Sequence, residues 1–332
     1  MEAMVRYWLQ EVGVDGFRLD AARHIIEEGA LQADTTSTHN FWKAWRINFK
    51  TASPDAIAIG EVWADTSIMS DYVQGNELDA VFDFPLATSI LASVNSGTAS
   101  SYSSSLDFDA SQIPPGCASP FITNHDQNRT MSQLGGSVPK AKAAAALLFA
   151  SPGTPFIYYG EEIGMLGVKP DEDIRLPMQW SNAANAGFTA GTPWRAPYAN
   201  YTTVNVSAET GDPNSLLSYY RQLIALRNNH IALRRGSLNT LNTSTAVIYA
   251  GLRFYTSEAI VVAVNVSGSP VTNCTLSRTS TPLSKGSYLV SSLMGGGTFE
   301  TLAVGNSGAI NNYVLTATIP AYSSLILKLQ PK

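Results

Sequence analysis

The stretch DGFRLDAARH, Asp15 to His24, closes an apolar, strand-like run with an arginine and an aspartate one residue apart. Charge at the end of a buried strand is costly unless it is paired or used. Arg18 and Asp20 stand two positions apart and so share a strand face. A structural ion pair explains one such case, and a chemical role requires that more carboxylates arrive in the same way. They do. AIAIGEVW (56–63) is a buried strand that ends on Glu61, and PFITNHD (120–126) is one that ends on Asp126 beside His125.

Between and around these strands the periodicity is helical. FWKAWRINF (41–49), LATSILASV (86–94) and KAKAAAALLFAS (140–151) read as helices, while LDAVFDF (78–84) and PFIYYG (155–160) read as further strands. Short continuous apolar strands alternating with helices indicate an α/β fold with a parallel sheet, because each parallel crossover needs an intervening helix. Five strands are read, ending near Asp20, Glu61, Phe84, Asp126 and Tyr159, with Phe17, Leu19, Ile57 and Ile59 assigned to the inner face. Asp212-Pro213 is expected to cap a helix that carries Leu216, Tyr220, Leu223, Ile224 and Arg227 at helical spacing. From Ile231 the texture changes to β-branched and aromatic runs such as AVIYAGLRFY, AIVVAVNVS, GSYLVSSLM and YSSLILKLQ between Gly, Pro, Ser and Asn clusters, the pattern of an antiparallel β-sandwich. The boundaries are therefore 1–230 for the α/β part and 231–332 for an all-β domain. That last stretch has no aspartate and only two glutamates, Glu258 and Glu300. Carboxylate chemistry is thus confined to residues 1–230.

Composition removes other classes of function. A net charge of −5 with only 21 Lys and Arg in 332 residues gives no electrostatic footprint for nucleic acid. No apolar run reaches the length of a membrane span. Cys117 and Cys274 are the only cysteines and cannot build a disulfide framework. The four histidines, His24, His39, His125 and His230, lack ligand spacing, so no catalytic metal is expected. Scarce charge with abundant Ser, Thr and Asn suits an extracellular protein.

GFRLDAARH, GEVWAD and NHDQNR resemble, in order and spacing, three hallmark segments of the α-amylase family of glycoside hydrolases. GTPFIYYGEEIGM (153–165) resembles the family's eighth-strand segment, and RLPMQWSNAANAGFTAGTPW (175–194) the loop after it. The resemblance implies a (β/α)8 TIM barrel, of which this chain supplies about strands 4 to 8, followed by the β domain. It implies Asp20 as nucleophile, Glu61 as acid/base, and Asp126 with His125 as binders of sugar hydroxyls. Arg18 is expected to orient Asp20. Arg23 and His24 resemble the basic-His pair that faces the leaving-group side, and Trp63 is an expected sugar-stacking side chain.

The family's third-strand Asp and His segment has no counterpart here, so the chain is read as the C-terminal portion of a longer enzyme, inactive alone. The chemistry requires no cofactor; a structural calcium, bound in relatives partly through the backbone at the position of His24, belongs to the complete fold. The expected substrate is an α-1,4-linked glucan or malto-oligosaccharide, cleaved with retention. RLPMQW and NAGFT are similar to segments of oligo-1,6-glucosidases, which makes an α-glucosidase or transglycosidase the alternative, and a non-catalytic relative a further one.

Overall fold

A computed structural model describes residues 1–332. The chain forms two compact units, one of residues 1–86 with 106–120 and the other of 87–105 with 121–332.

In the first unit a parallel sheet runs in sequential order through β1 (Gly16–Leu19), β2 (Ile57–Gly60), β3 (Ala80–Phe82) and β4 (Ala118–Ser119). Helices fill each crossover, as parallel pairing demands. The helix Thr36–Ala52 shows why: Thr35 accepts the Thr38 N–H at 3.0 Å as N-cap, and Thr38, Trp42, Trp45 and Phe49 recur at helical spacing and are all buried. Trp45 and Phe49 stack at 4.5 Å, and the Trp42 indole donates to the Ala22 carbonyl at 2.7 Å. This bond ties the helix layer to the turn after Asp20. Gly16 is required by closeness of approach, because a Cβ there would lie 2.0 Å from the Ile57 carbonyl oxygen.

The faces of the sheet correct one expectation. In register, Phe17 lies opposite Ala58 and Leu19 opposite Gly60; Phe17 and Leu19 pack into the core with the helix layer, and Phe17 meets the Phe49 ring at 6.2 Å. Period 2 then puts Arg18 and Asp20, with Ile57, Ile59 and Glu61, on the other face. Ile57 is exposed there. Phe17 and Leu19 are therefore helix-side residues.

Two strands differ as well. The ladder at β4 covers only residues 118–119 and stops at Pro120, which has no N–H to donate, so PFITNHD continues as irregular chain. The segment 155–160 joins no ladder; it is fixed by side chains, with Tyr158 Oη donating to the Ile174 carbonyl at 3.0 Å and Tyr159 Oη to the Leu176 carbonyl at 2.7 Å. The helix Leu216–Asn229 forms, but its N-cap is Ser215, which accepts from Ser218 N–H at 3.0 Å. Asp212 instead closes a turn by accepting from Asn214 N–H at 2.8 Å.

In the second unit, helices give way to strands after Arg235. One antiparallel sheet of nine strands follows. Its two end strands, Ser237–Thr240 and Asn242–Thr243, are consecutive in sequence, so the sheet curls back on itself around a core that includes Leu252, Val261, Leu276, Leu315 and Leu327. Val271–Thr272 and Thr318–Ile319 pair in a separate two-stranded sheet, so the expected sandwich takes the form of a nine-stranded curled sheet with a small second one. The strand runs 248–255, 258–265, 286–294 and 324–331 fall where the sequence put them.

Two buried arginines hold the end of the helix Val138–Ala150, Arg227 from the helix Leu216–Asn229 and Arg253 from this sheet. Arg227 donates to the carbonyls of Phe149 (2.7 Å) and Ser151 (3.0 Å), and Arg253 to those of Ala150 (2.7 Å) and Gly236 (3.0 Å). The last carbonyls of a helix lack intrahelical partners and carry the negative end of its dipole, so cations are at home there. Burial lowers the Arg227 pKa to about 9 and that of Arg253 to about 10. Arg253→Met, which keeps bulk but donates nothing, should reduce unfolding free energy by about 1–3 kcal/mol through unpaired buried carbonyls. Urea unfolding checks this, and an unchanged midpoint would mean that the carbonyl bonds add nothing net.

Candidate active site

Strand register decides what meets what. Leu19 pairs with Gly60, Glu61 N–H donates to the Leu19 carbonyl at 2.8 Å, and Ala22 N–H donates to the Glu61 carbonyl at 3.0 Å. Asp20 and Glu61 therefore leave adjacent strands at the same level. Arg18 forks between them: Nη1 donates to Asp20 Oδ1 and Nη2 to Glu61 Oε2. The two acids differ in shelter, the Asp20 side chain being 78% exposed and that of Glu61 12%. Directly after Asp20, Ala21 adopts left-handed backbone (φ 44°, ψ 43°), uncommon for a residue with a Cβ and a recurrent feature of functional turns.

The turn that follows is pinned from several sides. Arg23 clamps Asp34 through Nε at 3.2 Å and through Nη2, and its Nη1 donates to the Trp63 carbonyl at 2.8 Å. Asp34 also accepts from Tyr72 Oη at 2.9 Å. Arg23 thus fixes the chain on either side of the two acids. His24 contacts the Gln32 carbonyl through Nδ1 at 3.1 Å. The Trp63 ring, half exposed, stacks on buried Phe84 at 4.6 Å and 13°, a flat platform two residues beyond Glu61.

A further strand-end acid, Asp83 after β3, escaped the sequence reading although LDAVFDF shows it. It is fully buried and accepts from Leu86 N–H at 3.0 Å. Burial, then the neighbouring Asp109 carboxylate, hold its pKa well above the usual range; burial raises Asp109 to about 6, and Asp109 accepts from Thr66 Oγ1 at 2.9 Å. Asp83 is a core acid.

In the second unit, His125 Nε2 lies 3.2 Å from Asp126 Oδ2. Arg175 organises this pair: Nη2 donates to Asp126 Oδ1 at 2.7 Å and to Asp171 Oδ2 at 3.1 Å, and Nε to the His125 carbonyl at 2.9 Å. Arg175 and Asp171 were not singled out in the sequence, although Arg175 opens the RLPMQW segment. Buried Arg129 lies 4.5 Å from the rings of both Tyr158 and Tyr159 and donates to the Tyr159 carbonyl at 2.7 Å. Next to it Glu161 accepts from Thr130 Oγ1 at 2.7 Å and from Tyr220 Oη at 2.8 Å. No group of three or more His, Cys, Asp or Glu is placed to hold a metal ion, and both cysteines are free.

The model of the α-amylase catalytic domain matches residues 1–236. The chain belongs to the α-amylase family. It is 33% identical over 273 residues to Alpha-amylase 3 of Dictyoglomus thermophilum, covering 80% of this chain and 52% of that one. It is 29% identical to an oligo-1,6-glucosidase of Parageobacillus thermoglucosidasius, covering 80% and 58%. Among solved structures, the α-amylase from H. orenii superposes with a TM-score of 0.80 at 30% identity, over 99% of this chain and 63% of that one. The chain spans about half the length of the curated relatives it matches, and its fold is the family's TIM barrel with a β-rich C-terminal region.

Burial raises the Glu161 pKa to about 7 from 4.5. The fold therefore takes up a proton there, and the resulting stabilisation is complete below about pH 4.5 and lost as pH rises through about 7. Glu161→Gln should flatten the stability profile across that window by roughly 3 kcal/mol at most. Urea midpoints of both proteins across the window check this; parallel profiles would assign the dependence to another group.

Proposed function

We propose that the protein carrying this chain is a retaining glycoside hydrolase of α-1,4-linked glucans, with Asp20 as nucleophile and Glu61 as acid/base. The observation that carries the reading is the Arg18 fork, in which one guanidinium bonds two carboxylates that leave adjacent strands at the same level. Two acids gathered on one cation suit the closer spacing of double displacement, about 5–5.5 Å, rather than the about 6.5–9.5 Å of inverting enzymes. Glu61, the more sheltered acid, gives its proton to the glycosidic oxygen while Asp20 bonds to the anomeric carbon and the leaving sugar departs. Glu61 then takes a proton from water, whose oxygen displaces Asp20. Asp126, oriented by Arg175 and His125, is the hydroxyl-binding acid of the family pattern, and its bonds strengthen as the oxocarbenium ion forms. Trp63 offers its ring to a sugar face. Arg23 and His24 shape the leaving-group side, and the chemistry uses no cofactor. The barrel strands present are read as the fourth onward.

An exo-acting α-glucosidase is the second reading, favoured by the oligo-1,6-glucosidase among the relatives and by RLPMQW. The acids and their roles are the same in both.

In the protein expressed from its own gene, Asp20→Asn and Glu61→Gln should each lower turnover of starch by about a thousandfold or more while cooperative unfolding persists. Near-normal hydrolysis by either variant removes that residue from its role. Double displacement further requires that the new reducing end appear first as the α-anomer, which proton NMR of early product reads; initial β-anomer would establish inversion and a different task for Asp20.

A further inference from the structure

Beyond the turn after Asp20 the chain loops out and returns. Glu28 and Leu31 exchange backbone bonds at 2.9 and 3.0 Å, and the loop closes where Asp34 N–H donates to the Arg23 carbonyl at 2.9 Å. Asp34 stands there in left-handed backbone, φ 55°, a conformation that aspartate tolerates better than most residues with a Cβ. We propose that Asp34 is a positioning residue for proton delivery: it aims Arg23 at the chain behind Glu61 and so holds that acid in line with the glycosidic oxygen. The proposal rests on the glucan-hydrolase reading, in which Glu61 is the proton donor.

The aim follows from the shape of the guanidinium. It is planar, and pairing with a carboxylate through two of its nitrogens fixes that plane. Arg23 gives Asp34 its Nε, at 3.2 Å, and its Nη2. The direction of the remaining nitrogen is then set, and Nη1 donates to the Trp63 carbonyl at 2.8 Å. One residue earlier, Ala22 N–H donates to the Glu61 carbonyl at 3.0 Å. Successive residues of the turn thus grip the chain at Glu61 and again just past it. A lysine in place of Arg23 would be a point charge without a plane, and could not pass the orientation of Asp34 on to Trp63.

Asp34 is itself held. Buried Tyr72 donates to its Oδ1 at 2.9 Å. Burial, and then the bond to Asp34, push the Tyr72 pKa up, so the hydroxyl stays a donor at neutral pH. The His39 ring lies 4.6 Å from that of Tyr72, and His39 Nδ1 is 3.0 Å from Oε2 of buried Glu77. A row of ordered groups therefore backs the carboxylate that orients Arg23. Proton transfer needs hydrogen-bond reach and alignment, and misplacement by about 1 Å can cost about a hundredfold in rate.

Aryl maltotriosides that differ only in leaving group separate aim from mere support. In the protein expressed from its own gene, Asp34→Asn should lower kcat/KM about tenfold or more on the phenyl glycoside, whose departure needs a proton, and less than about threefold on the dinitrophenyl glycoside, whose anion leaves unaided. Glu61→Gln should show the same contrast more strongly. Should Asp34→Asn lose cooperative unfolding, Tyr72→Phe, which removes one bond to Asp34, is measured on the same pair of substrates and should show the contrast in weaker form. An equal fall on both substrates, or no fall, makes Asp34 a support of the fold alone and overturns the proposal. If Glu61→Gln shows the contrast and the Asp34 and Tyr72 variants do not, the hydrolase reading stands without it. If Glu61→Gln lacks the contrast as well, the assignment of the acid falls with the proposal.

Discussion

A single guanidinium lies between two carboxylates that leave neighbouring parallel strands at the same level, and much of the first unit serves to keep it there. The register of Leu19 against Gly60 sets the level. The Trp42 indole and the left-handed Ala21 set the turn after one acid, and Arg23 ties that turn to the chain just past the other. A slip of one residue in either strand would send its acid to the helix side, because side chains alternate with period 2. Positioning here comes from backbone pairing, which is harder to deform than any side-chain contact.

The comparison of Asp83 with Asp20 and Glu61 shows why strand-end position alone does not identify a functional acid. All three follow a parallel strand. Asp83 is buried and driven towards its neutral form beside Asp109, whereas Asp20 and Glu61 share a cation and Asp20 is open to water. The surroundings decide, and those surroundings come from residues distant in sequence.

That distinction also measures what the sequence made legible. Short continuous apolar runs such as AIAIGEVW, against the period near 3.6 in FWKAWRINF, are a local property, and they made legible the parallel sheet, the acids at its ends and, with the turn residues between them, the strands of the terminal domain. Short ladders are less legible, because β4 and the segment 155–160 look alike as apolar runs and differ only in whether a neighbouring backbone pairs with them. Arg175 and Asp171 were obscure for a related reason: a charged loop residue acquires meaning only when the loop returns to Asp126. The inner face was misassigned for Phe17 and Leu19, although alternation from Arg18 places them on the helix side.

The end of the helix Val138–Ala150 is held by cations answered by main-chain carbonyls, Arg227 from the helix Leu216–Asn229 and Arg253 from the curled sheet. No carboxylate shares in these bonds, so acid has nothing there to neutralise, and the guanidinia keep their protons up to about pH 9. Buried charge meeting fixed dipoles is also poorly screened by dissolved ions. This seam should hold across acidic and saline media that would loosen a surface ion-pair network, which makes it the part of the second unit least sensitive to its surroundings.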